Sequence, residues 1–409
     1  MEVERYSPGY RPPVSARSMG LINLMAYEAI VHGSEGRYQS FSGYFDGLEI
    51  DEPDFTEVYD WEVVVNAAYE KGFEYLFPTA PAAQQFQILD IGGDLRAQLQ
   101  LSGEPEVFYR SVEYGNYVAE TIYEWSATDT WGHEGYLNNN DPEFVPPVAP
   151  HLWKPTYPDY APALLPHWGK AMTFAALPTD VVEAPPVFSV VSGSQLYQEA
   201  EQVMTLVNSI KAGGSHEEHW IGEFWSDDCP ILTFTPAGRQ LSITNQLVAI
   251  ERLDMLETVA AYAKVSMAIS DAGVRCWSEK YRHNYLRPID YIREHMGEPD
   301  WNTVMCPDGS GGFFTPSFPA YPSGHATFGG AAAVVLEEIF GADYTFTDRS
   351  HEGRTEFNGT PRTFTSFRAM AIENGYSRIP LGVHFASDSD AGVELGFTVG
   401  QRVNDLPWN

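Results

Sequence analysis

The strongest constraint on the fold is the period of the apolar residues, which is helical along most of the chain. In Val14–His32, the residues Leu21, Leu24, Met25 and Ala29 recur at i, i+3 and i+4 and so share one helix face. Asp60–Phe77 and Ser194–Lys211 repeat this spacing, and Leu247–Trp277 carries it as one helix of about eight turns. From Gly324, HATFGGAAAVVLEEIF predicts a helix of small residues ending near Gly341, and Ala386–Val403 predicts the last helix. Alternating runs are scarce. Short candidates such as Val187–Val191 are too few for a barrel or a sandwich, so the expected fold is mainly α, built of packed helical bundles.

A chain of 409 residues buries a sizeable core, and a single two-lobed helical unit is expected. The N-terminal helical part is placed at 1–245 and the C-terminal part at 246–409. Within the first, residues 138–186 are rich in Pro, Trp and Tyr. The prolines there break helices while the aromatics favour packing, so this segment reads as a long connection wrapped on the body. Residues 305–315 form a Gly-rich loop, and Asp343–Pro361 is a polar, irregular excursion.

Charge narrows the partners. Lys and Arg total 24 against 56 Asp and Glu, a net charge of −32. So acidic a surface argues against nucleic acid and against anionic membranes. No run is long and apolar enough to span a membrane. The opening MEVERYSPGY lacks a signal-peptide pattern, so the chain reads either as intracellular or as an exported protein whose signal the initiating Met has replaced. Cys229, Cys276 and Cys306 show neither CxxC spacing nor a disulfide framework, which leaves the redox compartment open.

Chemistry concentrates in three segments. The first joins Trp277, Lys280 and Arg287, with Pro288 marking a helix end; the second is FPAYPSGH, from Phe318 to His325; the third holds Arg378, His384 and Asp388. Each suits a tetrahedral oxyanion. The Ser323-Gly324 turn opens a helix whose first N–H groups lack internal partners. Lys280, Arg287 and Arg378 can neutralise a multiply charged anion, the arginines in bidentate fashion. One histidine can bond the central atom while the other handles protons. Other candidates are weaker. His216 and His219 are spaced one residue too closely for a zincin pair and read either as surface residues or as residues that support a site from behind. Asp227 and Asp228 either pair with Lys280 or a site arginine, or form a solvated acidic turn.

Taken together, K-x6-RP, PSGH and SR-x5-H-x3-D in this order resemble the superfamily uniting vanadium-dependent haloperoxidases with type 2 phosphatidic acid phosphatases and bacterial acid phosphatases. FPAYPSGHATFGGA and ENGYSRIPLGVHF look most like the haloperoxidase branch, over Trp277–Ala391, with EFW at Glu223–Trp225 and LLPHWG at Leu164–Gly169 as fainter echoes. The resemblance implies two four-helix bundles and a vanadate cofactor, with hydrogen peroxide, a halide and a small organic acceptor as reactants. It implies His384 as the vanadium ligand, His325 as the acid–base residue, and Lys280, Arg287, Arg378, Ser323 and Gly324 as the cradle for the vanadate oxygens. Lys280 would also polarise bound peroxide. Asp388 would orient His384 or serve merely as a salt bridge or cap, and Phe318 with Trp277 would wall the halide pocket or simply fill core. Halide choice, organic acceptor and oligomeric state are not read from the sequence. An acid phosphatase working through a phospho-histidine shares the same three motifs. A non-catalytic anion binder would not need both histidines.

Overall fold

The computed structural model describes residues 2–227, 229, 232–307 and 313–409. Among these, thirteen α-helices and one two-stranded ribbon make the fold mainly α, as the periodicity requires. The helices are α1 (Glu2–Tyr6), α2 (Pro12–Val31), α3 (Trp61–Leu76), α4 (Ala82–Ser102), α5 (Pro105–Ser126), α6 (Gln195–Lys211) and α7 (His216–Phe224). They continue with α8 (Pro236–Glu251), α9 (Met255–His283), α10 (Pro288–His295), α11 (Gly324–Phe340), α12 (Phe367–Tyr376) and α13 (Ala386–Asn404). The strands β1 (Phe346–Asp348) and β2 (Arg362–Phe364) pair antiparallel, Thr347 opposite Thr363.

Four expectations change. Leu247–Trp277 is not one helix: α8 stops where Arg252 turns left-handed (φ 56°), and α9 starts afresh at a capping box between Asp254 and Glu257. Apolar spacing continues through the break because both helices face the same core, so periodicity alone could not see it. Val187–Val191 is irregular rather than a strand, following Pro185 and Pro186 and pairing with no strand among the described residues. Pro288 opens α10 as its first residue, five positions after α9 has ended. Asp343–Pro361 is less irregular than expected, since β1 lies inside it.

Helix α9 is the axis of the molecule. On one flank it packs along α2, every residue of which is buried, and α2 in turn packs on α3 and α5. On its other flank lies α11, clasped by α13 and α12. The α11–α13 approach is unusually close because Gly392, Gly396 and Gly400 recur every four residues along α13. A Cβ at any of them would come within 2.6 Å of a backbone oxygen of α11 or of its N-cap residue Ser323. That close approach brings the start of α13 onto the start of α11, where the Ser323 N–H donates to the Asp388 carbonyl at 2.8 Å.

The wrapping segment is pinned at several points. Its Trp153 N–H donates to the Asn284 carbonyl at 2.7 Å, and the Asp271 carboxylate of α9 accepts the N–H groups of Phe174, Ala175 and Ala176. Its Leu164 carbonyl accepts from Trp277 Nε1 and Tyr281 Oη. These bonds satisfy polar groups that burial would otherwise leave costly.

Candidate active site

The three motifs converge beside the N-termini of α11 and α13. Lys280, Arg287, Ser323, His325, Arg378, His384 and Asp388 are all buried there. The elements explain the convergence. Lys280 lies in the last turn of α9, Arg287 caps α10, and Ser323 with His325 opens α11. Arg378 and His384 flank the turn between α12 and α13, and Asp388 occupies the first turn of α13.

Each cation is held by backbone. Lys280 Nζ donates to the carbonyls of Pro319 (2.9 Å), Ala320 (2.8 Å) and Pro322 (2.5 Å), gripping the loop that leads into Ser323. Three bonds employ all three of its donors, so contact with a bound oxygen requires it to release one carbonyl. Arg287 donates from Nε to the Phe318 carbonyl and from Nη1 to the Val383 carbonyl, and Nη1 lies 3.2 Å from His384 Nε2. Arg378 donates to the Trp225 carbonyl at 3.4 Å and to Met305 Sδ at 3.1 Å.

Asp388 does two things at once. Its Oδ2 stands 3.0 Å from His384 Nδ1 and accepts the Phe385 N–H at 2.9 Å. The sequence left orientation and capping as alternatives, and the geometry combines them. With Nδ1 engaged, the ring presents Nε2 to the pocket. Ser323 Oγ and His325 Nε2 are buried without a hydrogen-bond partner. Such orphaned groups are expensive in an interior unless something enters to satisfy them.

Burial and neighbouring charge set the protonation states. Desolvation, reinforced by the three cations, drives both His325 and His384 well below the ordinary histidine value, so both rings are neutral. Desolvation also lowers Lys280 to about 7 and raises Asp388 to about 7. An entering anion would supply the negative charge this cationic, desolvated pocket lacks. Phe318 and Trp277 are both buried, their ring centroids 4.9 Å apart, and Phe318 faces Lys280 Nζ at 5.0 Å and Arg287 at 4.9 Å. A Cβ on Gly324 would touch the Trp277 ring at 3.4 Å, so the glycine lies against this wall.

The remaining candidates lie elsewhere or play other parts. His219 stands half-exposed on α7 with Nε2 3.7 Å from Glu223. Asp227 is neither paired with Lys280 nor part of a solvated turn. It is fully buried, 3.2 Å from Arg239 Nη1 and 2.9 Å from His351 Nε2. Arg239 also binds Asp348 and stacks over Phe224 and Trp225, forming a charged layer behind the Trp225 carbonyl that Arg378 uses. Its parts come from three distant segments with no shared motif, so sequence reasoning missed it. Asp228 lies outside the described residues. Two cysteines do pair: Cys229 and Cys306 form a disulfide across 77 residues, with Cα atoms 5.4 Å apart. A spacing that long carries no local signature, and only Cys276 is free.

Known proteins resemble this chain over part or all of its length. The family described as the VCPO second helical-bundle domain matches residues 260–407. The vanadium chloroperoxidase of Curvularia inaequalis is 27% identical over 250 residues, 46% of this chain and 41% of that protein. The vanadium-dependent bromoperoxidase of Ascophyllum nodosum is 33% identical over 97 residues, 22% of this chain and 17% of that protein. The chain thus spans less than half the length of these curated relatives. The crystal structure of a bacterial vanadium-dependent iodoperoxidase superposes with a TM-score of 0.83 at 31% identity, covering 100% of this chain and 95% of that one. A holo bacterial vanadium-dependent chloroperoxidase has a TM-score of 0.70 at 15% identity, covering 96% of this chain and 91% of that one, and shares the fold. The chain belongs to the vanadium haloperoxidase family.

Proposed function

We propose that this protein oxidises a halide with hydrogen peroxide at a vanadate held in the buried pocket, releasing hypohalous acid and water. The balance is peroxide, halide and one proton in, hypohalous acid and water out. The observation that carries the reading is the pairing of two neutral histidines with three buried cations around the unpartnered Ser323 Oγ and His325 Nε2. That donor set fits a tetrahedral oxyanion bound through a nitrogen.

His384 would hold the vanadium through Nε2, its ring fixed by Asp388. Lys280, Arg287, Arg378, Ser323 Oγ and the Gly324 N–H would hold the oxygens. When bound, vanadate supplies Lewis acidity toward peroxide. His325, kept neutral by its surroundings, accepts a peroxide proton at Nε2 and returns it to the departing oxygen. Lys280, on releasing a loop carbonyl, donates to that oxygen and makes it electrophilic. Phe318 and Trp277 exclude water from the side on which a halide arrives. Hypohalous acid then reacts with a small organic acceptor.

The test is reconstitution with orthovanadate, following peroxide-dependent oxidation of chloride, bromide and iodide beside hydrolysis of a chromogenic phosphomonoester. Halide turnover that requires vanadate is expected. Vanadate-inhibited phosphate release without halide turnover would make the pocket a phosphatase instead.

A further inference from the structure

We infer that the Cys229–Cys306 disulfide is a positioning element for the anion pocket, clamping the two loops that cradle Arg378; this rests on reading the pocket as an oxyanion site. Two contacts of the Arg378 guanidinium come from irregular segments. The Trp225 carbonyl takes Nη1 four residues before Cys229, and Met305 Sδ takes Nη2 immediately before Cys306. The disulfide therefore joins one side of the cradle to the other.

Each loop is anchored on its outer side but shares no helix with its partner. Thr233 Oγ1 donates to the Ser226 carbonyl at 3.1 Å, and Arg354 Nη2 reaches the Leu232 carbonyl at 2.7 Å. On the other loop, the Val304 N–H donates to the Leu381 carbonyl and the Phe314 N–H to the Met305 carbonyl. Cys229 and Met305 are both buried. Opening the bond frees two cysteines and lets the loops part. Arg378, reaching the pocket from the turn between α12 and α13, then loses the definition of two contacts that help to aim it. A bidentate donor depends on such aim more than a point charge does.

The experiment measures inorganic phosphate binding by calorimetry to the full chain, oxidised and after reduction with a phosphine. Far-ultraviolet circular dichroism at the same temperature checks that both forms are folded. Phosphate affinity is expected to fall about tenfold on reduction, the scale of one charged hydrogen bond, and to return on reoxidation. The Cys229→Ser, Cys306→Ser double variant is expected to match the reduced form; should it not fold, reductant titration of the wild type makes the same comparison. The decisive arm repeats the reduction in Arg378→Ala, where no further loss is expected. An equal loss in that background would mean that the bond acts through general stability, and would overturn the inference. So would phosphate affinity indifferent to reduction in the wild type. Absence of phosphate binding in the oxidised protein would overturn the anion-site reading and this inference with it.

Discussion

The two flanks of α9 are held together by different physics. Toward α2 the packing is mostly apolar and aromatic, with a polar contact to α9 where Asn23 Nδ2 donates to Ser266 Oγ at 2.8 Å. Leu21, Leu24, Met25 and Ala29 face inward as their spacing predicts, and Tyr27 packs among Phe41 and Trp408. Its stability comes from area removed from water, which tolerates small shifts. Toward α11 and α13, glycines replace large side chains, and backbones approach until the helix starts touch. There the interior holds two histidines, three cations and a carboxylate, groups that burial penalises. One flank stabilises the fold, and the other uses that stability to hold a destabilising constellation in place.

Substitutions on each flank can break or sharpen this contrast. The largest expected effect is His384→Ala on the α13 side: halide oxidation by the vanadate-loaded protein should fall by about 10³-fold or more, while thermal unfolding stays cooperative. Loss of the transition midpoint instead would mean that the pocket is structural. On the α2 side, Leu24→Ala should do the reverse, costing about 2–5 kcal/mol in denaturant unfolding with phosphate affinity unchanged. A change in affinity there would show the flanks to be coupled.

The pH dependence separates them further. Glu28 is buried on α2, where desolvation lifts it to about 7 against hydrogen bonds from Ser40 and the Phe41 amide. Its folded form binds a proton more tightly than the unfolded chain. The stability it contributes is therefore complete below the ordinary glutamate value and is lost as pH rises through 7, up to about 3 kcal/mol. Glu28→Gln should flatten that slope in urea titrations between pH 4.5 and 8, since the Ser40 hydroxyl can accept from the new amide. The smallest effect is Asp388→Asn: vanadate affinity should weaken by about 10–100-fold through loss of His384 orientation, with the Phe385 N–H still accepted. An unchanged affinity would reduce Asp388 to a cap.

How much of this was legible varies with the range of the interaction. Lys280, Arg287, Ser323, His325, Arg378, His384 and Asp388 were named from three short motifs, and the structure gathers all seven. Those motifs are local because helix starts and turns are built by neighbouring residues. The layer of Asp227, Arg239, Asp348 and His351 was not legible, because its members meet only after α7, α8 and β1 have packed. Asp227 looked like a surface acid because nothing near it in sequence announces a buried arginine. The Cys229–Cys306 pair was hidden for the same reason.

By itself, the sequence determined the helical class, the position of α2, α3, α6, α11 and α13 to within a residue or two, and which side chains meet in the pocket. These follow from apolar period, capping residues and side-chain type, all of which act over a few residues of chain. The tertiary structure alone decided where α8 breaks from α9, that Lys280 spends its donors on the Pro319–Pro322 loop, and that a disulfide flanks Arg378. It also decided that both histidines are neutral, for burial and the nearness of three cations are properties of the packed interior, and no segment carries them alone.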